Sequence, residues 1–353
     1  MRDFPKFNTL EEACRALNVI PVNKTRRSGF ILANVGNSRS GRGDGRIKFF
    51  TADSGVVFNW QIGQMAAFFP DWGKKNFNTE EWKARQAEIE RLIKLEAKNQ
   101  EERNKFVAEK IARKIVEAAH PSENHPYLCR KRVAGFPGAP GLEIDKDAAQ
   151  EIINGEKIPF SEGEPQSLWK LEGRLLLVPL TDENGALWSL QLIDSQGKKA
   201  FLKAGRTAGL VWRPEDIQLN FNWRESLAIC EGVATALSVR HLYGVPCVAA
   251  ISAGNLVKAS QMLRRICPMA ELWLCADRDE NQTGEREARA AAEGISHSRL
   301  FVCPELTHSE LEAFYRLTGS RKATDYNDYM IAHMAAELAG NKSNQSFKEQ
   351  SND

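Results

Sequence analysis

The sequence is short of the features that fix a protein class at a glance. Its 353 residues hold seven cysteines (Cys14, Cys129, Cys230, Cys247, Cys267, Cys275, Cys303), an odd number with no pair at C-x-x-C spacing. That argues against a zinc ribbon and a disulfide framework, and it fits a reducing cytoplasm, where we expect the protein to work. No uncharged apolar run approaches the ~20 residues of a membrane span, so no membrane role is expected. The N-terminus opens Met1-Arg2-Asp3-Phe4-Pro5-Lys6 without an apolar stretch, so no secretory signal is expected. No G-x-x-x-x-G-K-[ST] motif occurs, which excludes a fused P-loop ATPase or helicase. The six histidines show no ligand spacing and read as structural.

What is present is ordinary globular material. Apolar residues make up 42% and charged residues 27%, enough to bury a core and to rule out wholesale disorder. The length suggests two or three domains at ~150 residues each. The formal net charge is only +2, yet between Arg15 and Phe50 eight basic residues face one acid, Asp44. A local field of that sign draws polyanions whatever the total charge.

The chain divides by composition. Residues 1–77 read as a small β-rich domain. Ile47–Thr51 and Val56–Trp60 flank the turn Ala52-Asp53-Ser54-Gly55, which predicts a hairpin. Phe49, Phe50, Phe58 and Trp60 could stack on unpaired bases, or alternate ones could build the domain's core. The Gly36–Gly45 stretch reads as a basic loop, and Arg26, Arg27, Arg39 and Arg42 are candidate nucleic-acid contacts. Residues 78–119 lack proline and glycine from Thr79 onward, carry an N-cap signal at Asn78 with Glu81, and end at His120-Pro121. They predict a long polar helix that bridges domains or docks along an edge rather than sitting in a core. Residues 120–226 predict an α+β unit. Its basic cluster Arg130-Lys131-Arg132 falls on a short helix, and an antiparallel meander follows through Leu175–Val178, Leu187–Ile193, Lys198–Lys203 and Gly209–Trp212. Residues 227–335 alternate short apolar strands with helical patterns, the signature of a parallel sheet with crossover helices. Residues 336–353 read as a disordered tail.

In an open parallel sheet, ligands bind beyond the carboxyl ends of the strands. The first strand there ends in Glu231-Gly232, and the third in Asp277-Arg278-Asp279. A third acidic stretch, Thr324-Asp325-Tyr326-Asn327-Asp328, comes later. Carboxylates gathered at one edge repel one another unless a cation neutralises them. An all-oxygen donor set points to a hard ion, Mg²⁺ or Mn²⁺. The bland alternative is that these acids cap the following helices. Gly232 would allow a tight turn and close approach of the backbone to a phosphate.

These residues carry a resemblance. Cys230-Glu231-Gly232-Val233-Ala234-Thr235-Ala236 followed by Ala276-Asp277-Arg278-Asp279 resembles the Toprim domain shared by DnaG-type primases, topoisomerases and some nucleases. The upstream segments Arg174–Pro179 and Phe201–Arg206 resemble the meander that precedes Toprim in primase catalytic cores. His125–Arg132 and Leu187–Ile193 are similar to primases of conjugative plasmids and phages, and Lys322…Asp325–Asp328 resembles their third acidic motif. The resemblance covers roughly residues 120–335.

It implies an α/β fold: a Toprim (Rossmann-like parallel sheet) domain preceded by an α+β antiparallel-meander subdomain, a long helix and a small β-rich N-terminal domain. It implies a DNA primase of a mobile element that makes short primers on single-stranded DNA from nucleoside triphosphates, and it leaves open a replicative helicase as partner. Glu231, Asp277, Asp279 and Asp325, with Asp328, would hold two or more Mg²⁺ or Mn²⁺ ions. Arg174, Lys198, Lys199, Lys203 and Arg206, with Arg130, Lys131 and Arg132, would contact template or triphosphate. Chromosomal primases begin with a zinc ribbon, whereas the hairpin at that place has no cysteine, so no zinc is expected. A Toprim nuclease and a non-catalytic nucleic-acid-binding accessory protein are the competing readings.

Overall fold

The computed structural model describes residues 5–22, 30–36, 44–59, 62, 64–70, 79–161, 165–278 and 283–350. The chain divides into two compact units, Met1–Gln100 and Glu101–Asp353. Arg26, Arg27, Arg39, Arg42, Trp60, Asn78 and Asp279 lie outside the described residues.

The N-terminal unit is one sheet with one small helix. Its elements are β1 (Lys6–Phe7), α1 (Leu10–Ala16), β2 (Val19–Pro21), β3 (Phe30–Val35), β4 (Gly45–Thr51), β5 (Ser54–Asn59) and β6 (Gln64–Phe68). The six strands lie in the order β1-β6-β5-β4-β3-β2. Thr9 and Glu12 form a capping box that starts α1. The expected hairpin is β4–β5. Its alternation puts Ile47 and Phe49 against Leu10, Ala13 and Cys14 of α1, where Phe49 meets Phe68 edge to face, ring centroids 5.5 Å apart. Phe50 and Phe58 gather on the other face around Val56, Ala67 and Phe69. Gly55 is required by close approach, because a Cβ there would stand 2.1 Å from the Lys48 carbonyl oxygen.

The long helix is real but is not all surface. It comprises α2 (Thr79–Phe106), a π-helical turn at Val107–Ala112, and α3 (Arg113–Ala118). The Arg113 N–H donates to the Ala108 carbonyl, five residues back. Contrary to the expectation of a helix kept out of a core, Val107, Ile111, Ala112 and Ile115 are buried among Leu175, Leu177, Leu190 and Leu192. The polar average over 41 residues hid a short apolar stripe at its C-terminal end.

An antiparallel sheet follows. Its elements are β7 (His120–Pro121), α4 (Pro126–Arg130), β8 (Leu142–Asp145), α5 (Lys146–Asn154), β9 (Arg174–Thr181), β10 (Leu187–Ile193) and β11 (Lys199–Phe201), with strand order β11-β10-β9-β8-β7. Asn184-Gly185 makes the predicted turn, with Gly185 at φ +77° and Asp182 Oδ1 accepting from Asn184 N–H. Strand β9 is apolar without alternation because both its faces are covered. Leu175 and Leu177 join the helical layer, while Leu176 and Val178 join the core shared with the parallel sheet. Each such leucine contributes about 1.5–3 kcal/mol by leaving water. Residues 209–212, expected as a strand, make only two isolated bridges, Thr181 to Val211 and Trp212 to Ala249. Those bridges stitch the antiparallel sheet to the parallel one.

The parallel sheet contains β12 (Leu227–Cys230), β13 (Cys247–Ala249), β14 (Leu272–Ala276) and β15 (Ser298–Val302) in the order β13-β12-β14-β15. Its crossovers are α6 (Val233–Tyr243), α7 (Leu256–Ile266) and α8 (Thr283–Glu293), and α9 (His308–Thr318) and α10 (Tyr326–Gln350) complete the unit. This is the expected α/β architecture. The tail predicted as disordered from residue 336 is instead the continuation of α10 to Gln350. Adding residues to a helix already nucleated and docked costs far less than starting one, so polar composition alone was misleading. No described helix is long and apolar enough to cross a membrane.

Candidate metal and nucleic-acid site

The carboxylates are positioned by topology first. Strands β12 and β14 are parallel neighbours with Cys230 opposite Cys275. Glu231 and Asp277 therefore both leave the sheet just beyond the carboxyl ends of adjacent strands, and both are half-buried. Gly232 is extended (φ −115°, ψ 159°) at the N-cap of α6. Any residue could adopt that backbone, so the tight-turn reason for the glycine does not hold. A Cβ there would meet only Thr235 Oγ1, at 3.7 Å, which leaves room for a ligand's approach.

The segment that follows β14 is tied down by Arg278. Arg278 N–H donates to the Thr324 carbonyl at 2.7 Å. Its guanidinium reaches the Cys303 carbonyl beyond β15 at 3.0 and 3.1 Å and pairs with Glu305 at 2.8 Å. Arg278 thus brings the third acidic stretch against the loop that carries Asp277. Gly284 in α8 packs on Asp277, where a Cβ would lie 3.3 Å from the Asp277 carbonyl oxygen.

Asp325 and Asp328 do cap a helix. Asp328 N–H donates to Asp325 Oδ1 at 2.8 Å, and Thr324 N–H donates to Asp328 Oδ2 at 3.0 Å. Each acid keeps a second oxygen, and both of these face Lys131. Its Nζ lies 3.5 Å from Asp325 Oδ2 and 4.0 Å from Asp328 Oδ1. Burial, and then the Asp325 charge, push the Asp328 carboxyl above its ordinary range.

Lys199, on edge strand β11, ties these groups together. Its residue surface is exposed, yet its ammonium is crowded by protein. Loss of water there lowers its pKa, against the charges of Glu231, Asp325 and Asp277 that raise it, while Lys131 lowers it further. Burial pushes the Cys303 thiol up to about 12, helped by Asp277, Asp325 and Asp328. Tyr127 is also pushed up to about 12, by burial and then Asp325. Its ring lies 6.0 Å from Lys199 Nζ and 5.9 Å from the Arg130 guanidinium carbon. Four acids from three segments thus act on shared neighbours along one rim.

The donor chemistry fits a hard divalent ion, since every candidate ligand is a carboxylate oxygen. Among the described residues no three acid, histidine or cysteine side chains already converge on a single ligand point. Lys131 stands between two of the carboxylates.

The other basic candidates have varied surroundings. Arg174 pairs at 2.5 Å with Glu143, which is only 1% exposed. Lys198 pairs with Glu172 at 2.8 Å. Arg130 donates to the Ser195 carbonyl at 2.5 Å. Lys203 is exposed, and its backbone N–H donates to Gln166 Oε1 at 2.6 Å. Arg206 stacks over Trp188 at 5.0 Å. Arg132 is exposed at φ +54°.

Sequence reasoning missed Asn327. It is fully buried, and its amide donates to the Lys131 carbonyl at 2.7 Å and to Ser238 Oγ at 3.0 Å. The one available signal was an amide set between two acids in Asp325-Tyr326-Asn327-Asp328.

The family model of the Toprim domain matches residues 226–336. Two Escherichia coli proteins named DNA primase TraC are 24% and 25% identical over 223 residues, 61% of this chain. The match spans 13% and 18% of the lengths of those relatives. Among solved structures, the chain is similar to the RNA polymerase domain of Mycobacterium tuberculosis primase DnaG in complex with a double-stranded DNA oligomer. That similarity has TM-score 0.40 and 18% identity, covering 66% of this chain and 79% of that one. It is also similar to the primase fragment of the bacteriophage T7 primase-helicase protein, with TM-score 0.34 and 17% identity over 47% and 61%.

Proposed function

We propose that this chain is a DNA primase of a mobile element, which joins nucleoside triphosphates into short primers on single-stranded DNA by metal-dependent nucleotidyl transfer. The observation that carries the proposal is that adjacent strands β12 and β14 end side by side at Glu231 and Asp277, while the Arg278 N–H bond to the Thr324 carbonyl ties the Asp325 stretch beside them. Lys199 of β11 feels the charges of Glu231, Asp325 and Asp277. The likeness to DNA primase TraC extends over 223 residues, well beyond the Toprim stretch, and this favours a primase over a Toprim nuclease.

Glu231, Asp277, Asp279 and Asp325, with Asp328, are the residues we assign to hold Mg²⁺ or Mn²⁺. When bound, such ions supply positive charge that polarises phosphate oxygens and lowers the pKa of an attacking hydroxyl. The chain's own groups do the rest. Lys199 attracts the triphosphate beside the carboxylates. Glu231 ligates an ion or accepts the 3′-hydroxyl proton. Lys203 and the Arg206–Trp188 stack offer charge and an aromatic face to the template.

The test is synthesis of labelled oligonucleotides from nucleoside triphosphates on single-stranded templates with either metal. We expect products with the wild type and none with Asp277→Ala. Metal-dependent cleavage of labelled DNA or RNA without synthesis would establish the nuclease instead. DNA binding without either activity would leave the accessory role.

A further inference from the structure

We propose that Lys131 is a built-in counter-ion that weakens the rim's hold on a divalent cation, and that Asn327 positions it. The inference rests on the metal reading above and deepens it.

Lys131 is gripped at both ends by one four-residue stretch. Its carbonyl accepts from Asn327 Nδ2 at 2.7 Å. Its ammonium lies 3.5 Å from Asp325 and 4.0 Å from Asp328, two residues before and one after Asn327. Asn327 has no exposed surface, and its amide also donates to Ser238 Oγ of α6, which donates in turn to the Ala234 carbonyl at 2.8 Å. The backbone around Lys131 is equally constrained. It is the C-cap of α4 at φ −78°, ψ 0°. Arg132 after it turns left-handed at φ +54°, and Val133 is fully buried. The Lys131 backbone therefore cannot move away from this stretch without breaking buried hydrogen bonds, and its ammonium is held at the acids by charge.

The consequence is electrostatic. The side chains of Lys131, Asp325 and Asp328 are 28%, 21% and 19% exposed, so charges there are only partly screened by water. A divalent ion approaching Asp325 or Asp328 meets a fixed positive charge already paired with both. It must displace that ammonium or share the carboxylates with it, and either lowers its affinity. A counter-ion role and a scaffold role give opposite signs. A counter-ion, once removed, leaves a stronger cation site. A scaffold, once removed, lets the acids spread and leaves a weaker one.

The experiment is Mn²⁺ titration of the full chain without nucleotide or DNA, with free Mn²⁺ read by electron paramagnetic resonance. Lys131→Met keeps the stem and removes the charge. We expect its Mn²⁺ dissociation constant to fall by about tenfold, and Lys131→Arg to stay at the wild-type value. Asn327→Ala should shift affinity in the same direction but less, since the charge remains and only its tether is lost. Unchanged or weaker binding in Lys131→Met, with circular dichroism unaltered, would overturn the proposal while leaving the metal reading intact. Absence of Mn²⁺ binding in both wild type and Lys131→Met would overturn both.

Discussion

The two sheets of Glu101–Asp353 use similar apolar residues but place their charges by different rules. In the parallel sheet, β12 is wholly buried and β14 nearly so, and the charged residues come just after the strands, at Glu231 and Asp277. In the antiparallel sheet, β11 is an edge strand, and it carries Lys199 along its own length. Topology therefore locates the acids, while strand register and edge exposure locate the cation. A rim assembled from both needs the two sheets held in fixed relation, which is the work of the Thr181–Val211 and Trp212–Ala249 bridges.

Removing an acid should have the largest effect. Asp277→Ala is expected to lower primer synthesis by at least ~100-fold, the scale of losing one charge-stabilising group at a reacting centre. Retained circular dichroism would show that the fold survives. Removing the cation should cost less. Lys199→Met is expected to reduce synthesis by roughly tenfold, chiefly by raising KM for the triphosphate. A loss as deep as that of Asp277→Ala would mean that the two sheets do not divide the work in this way.

The antiparallel sheet also has a charge that belongs to stability rather than to the rim. Glu143 is buried, and burial alone would raise its pKa. Hydrogen bonds from Ser122 and Arg174 and the Arg174 charge together outweigh that and hold it below the usual carboxylate range. A depressed folded-state pKa gives stability that is present above the unfolded value, ~4.3, and is lost as pH falls through the folded one. Glu143→Gln should thus lower unfolding stability by about 1–3 kcal/mol near neutral pH. The gap from wild type should narrow between pH 5 and 3 in chemical denaturation. A pH-independent gap would contradict the ion pair. The smallest effect is expected at the template path. Arg206→Ala should weaken single-stranded DNA binding a few-fold and reduce the salt slope by about 1, measured by fluorescence anisotropy at several salt concentrations.

The two rules also explain what could be read from the sequence. Glu231 and Asp277 were legible because β-α-β alternation and the carboxyl-end rule fix where such residues emerge, whatever the detailed packing. Asp325 and Asp328 were legible as an acidic stretch, with helix capping as the alternative, but the turn of their second oxygens to Lys131 was not. Lys131 itself read as one of three adjacent basic residues, all candidates for nucleic acid. Its contact with Asn327 crosses 196 positions of sequence, and no local period encodes such a pairing. The burial of Val107–Ile115 was hidden for a related reason: four apolar residues at the end of a charged helix matter only once a sheet lies beneath them. The helical tail was missed because composition reports on an isolated segment, whereas α10 is extended from a docked end.

We propose that acids from two strand ends and one helix cap form a single divalent-ion centre beside Lys199. Its most direct test is a crystal of the full chain grown with Mn²⁺, with the ion located by its anomalous scattering. We expect a peak bounded by Glu231, Asp277 and Asp325. A peak elsewhere on the chain, or carboxylates of residues 231 and 277 turned to different surfaces with no ion between them, would contradict it.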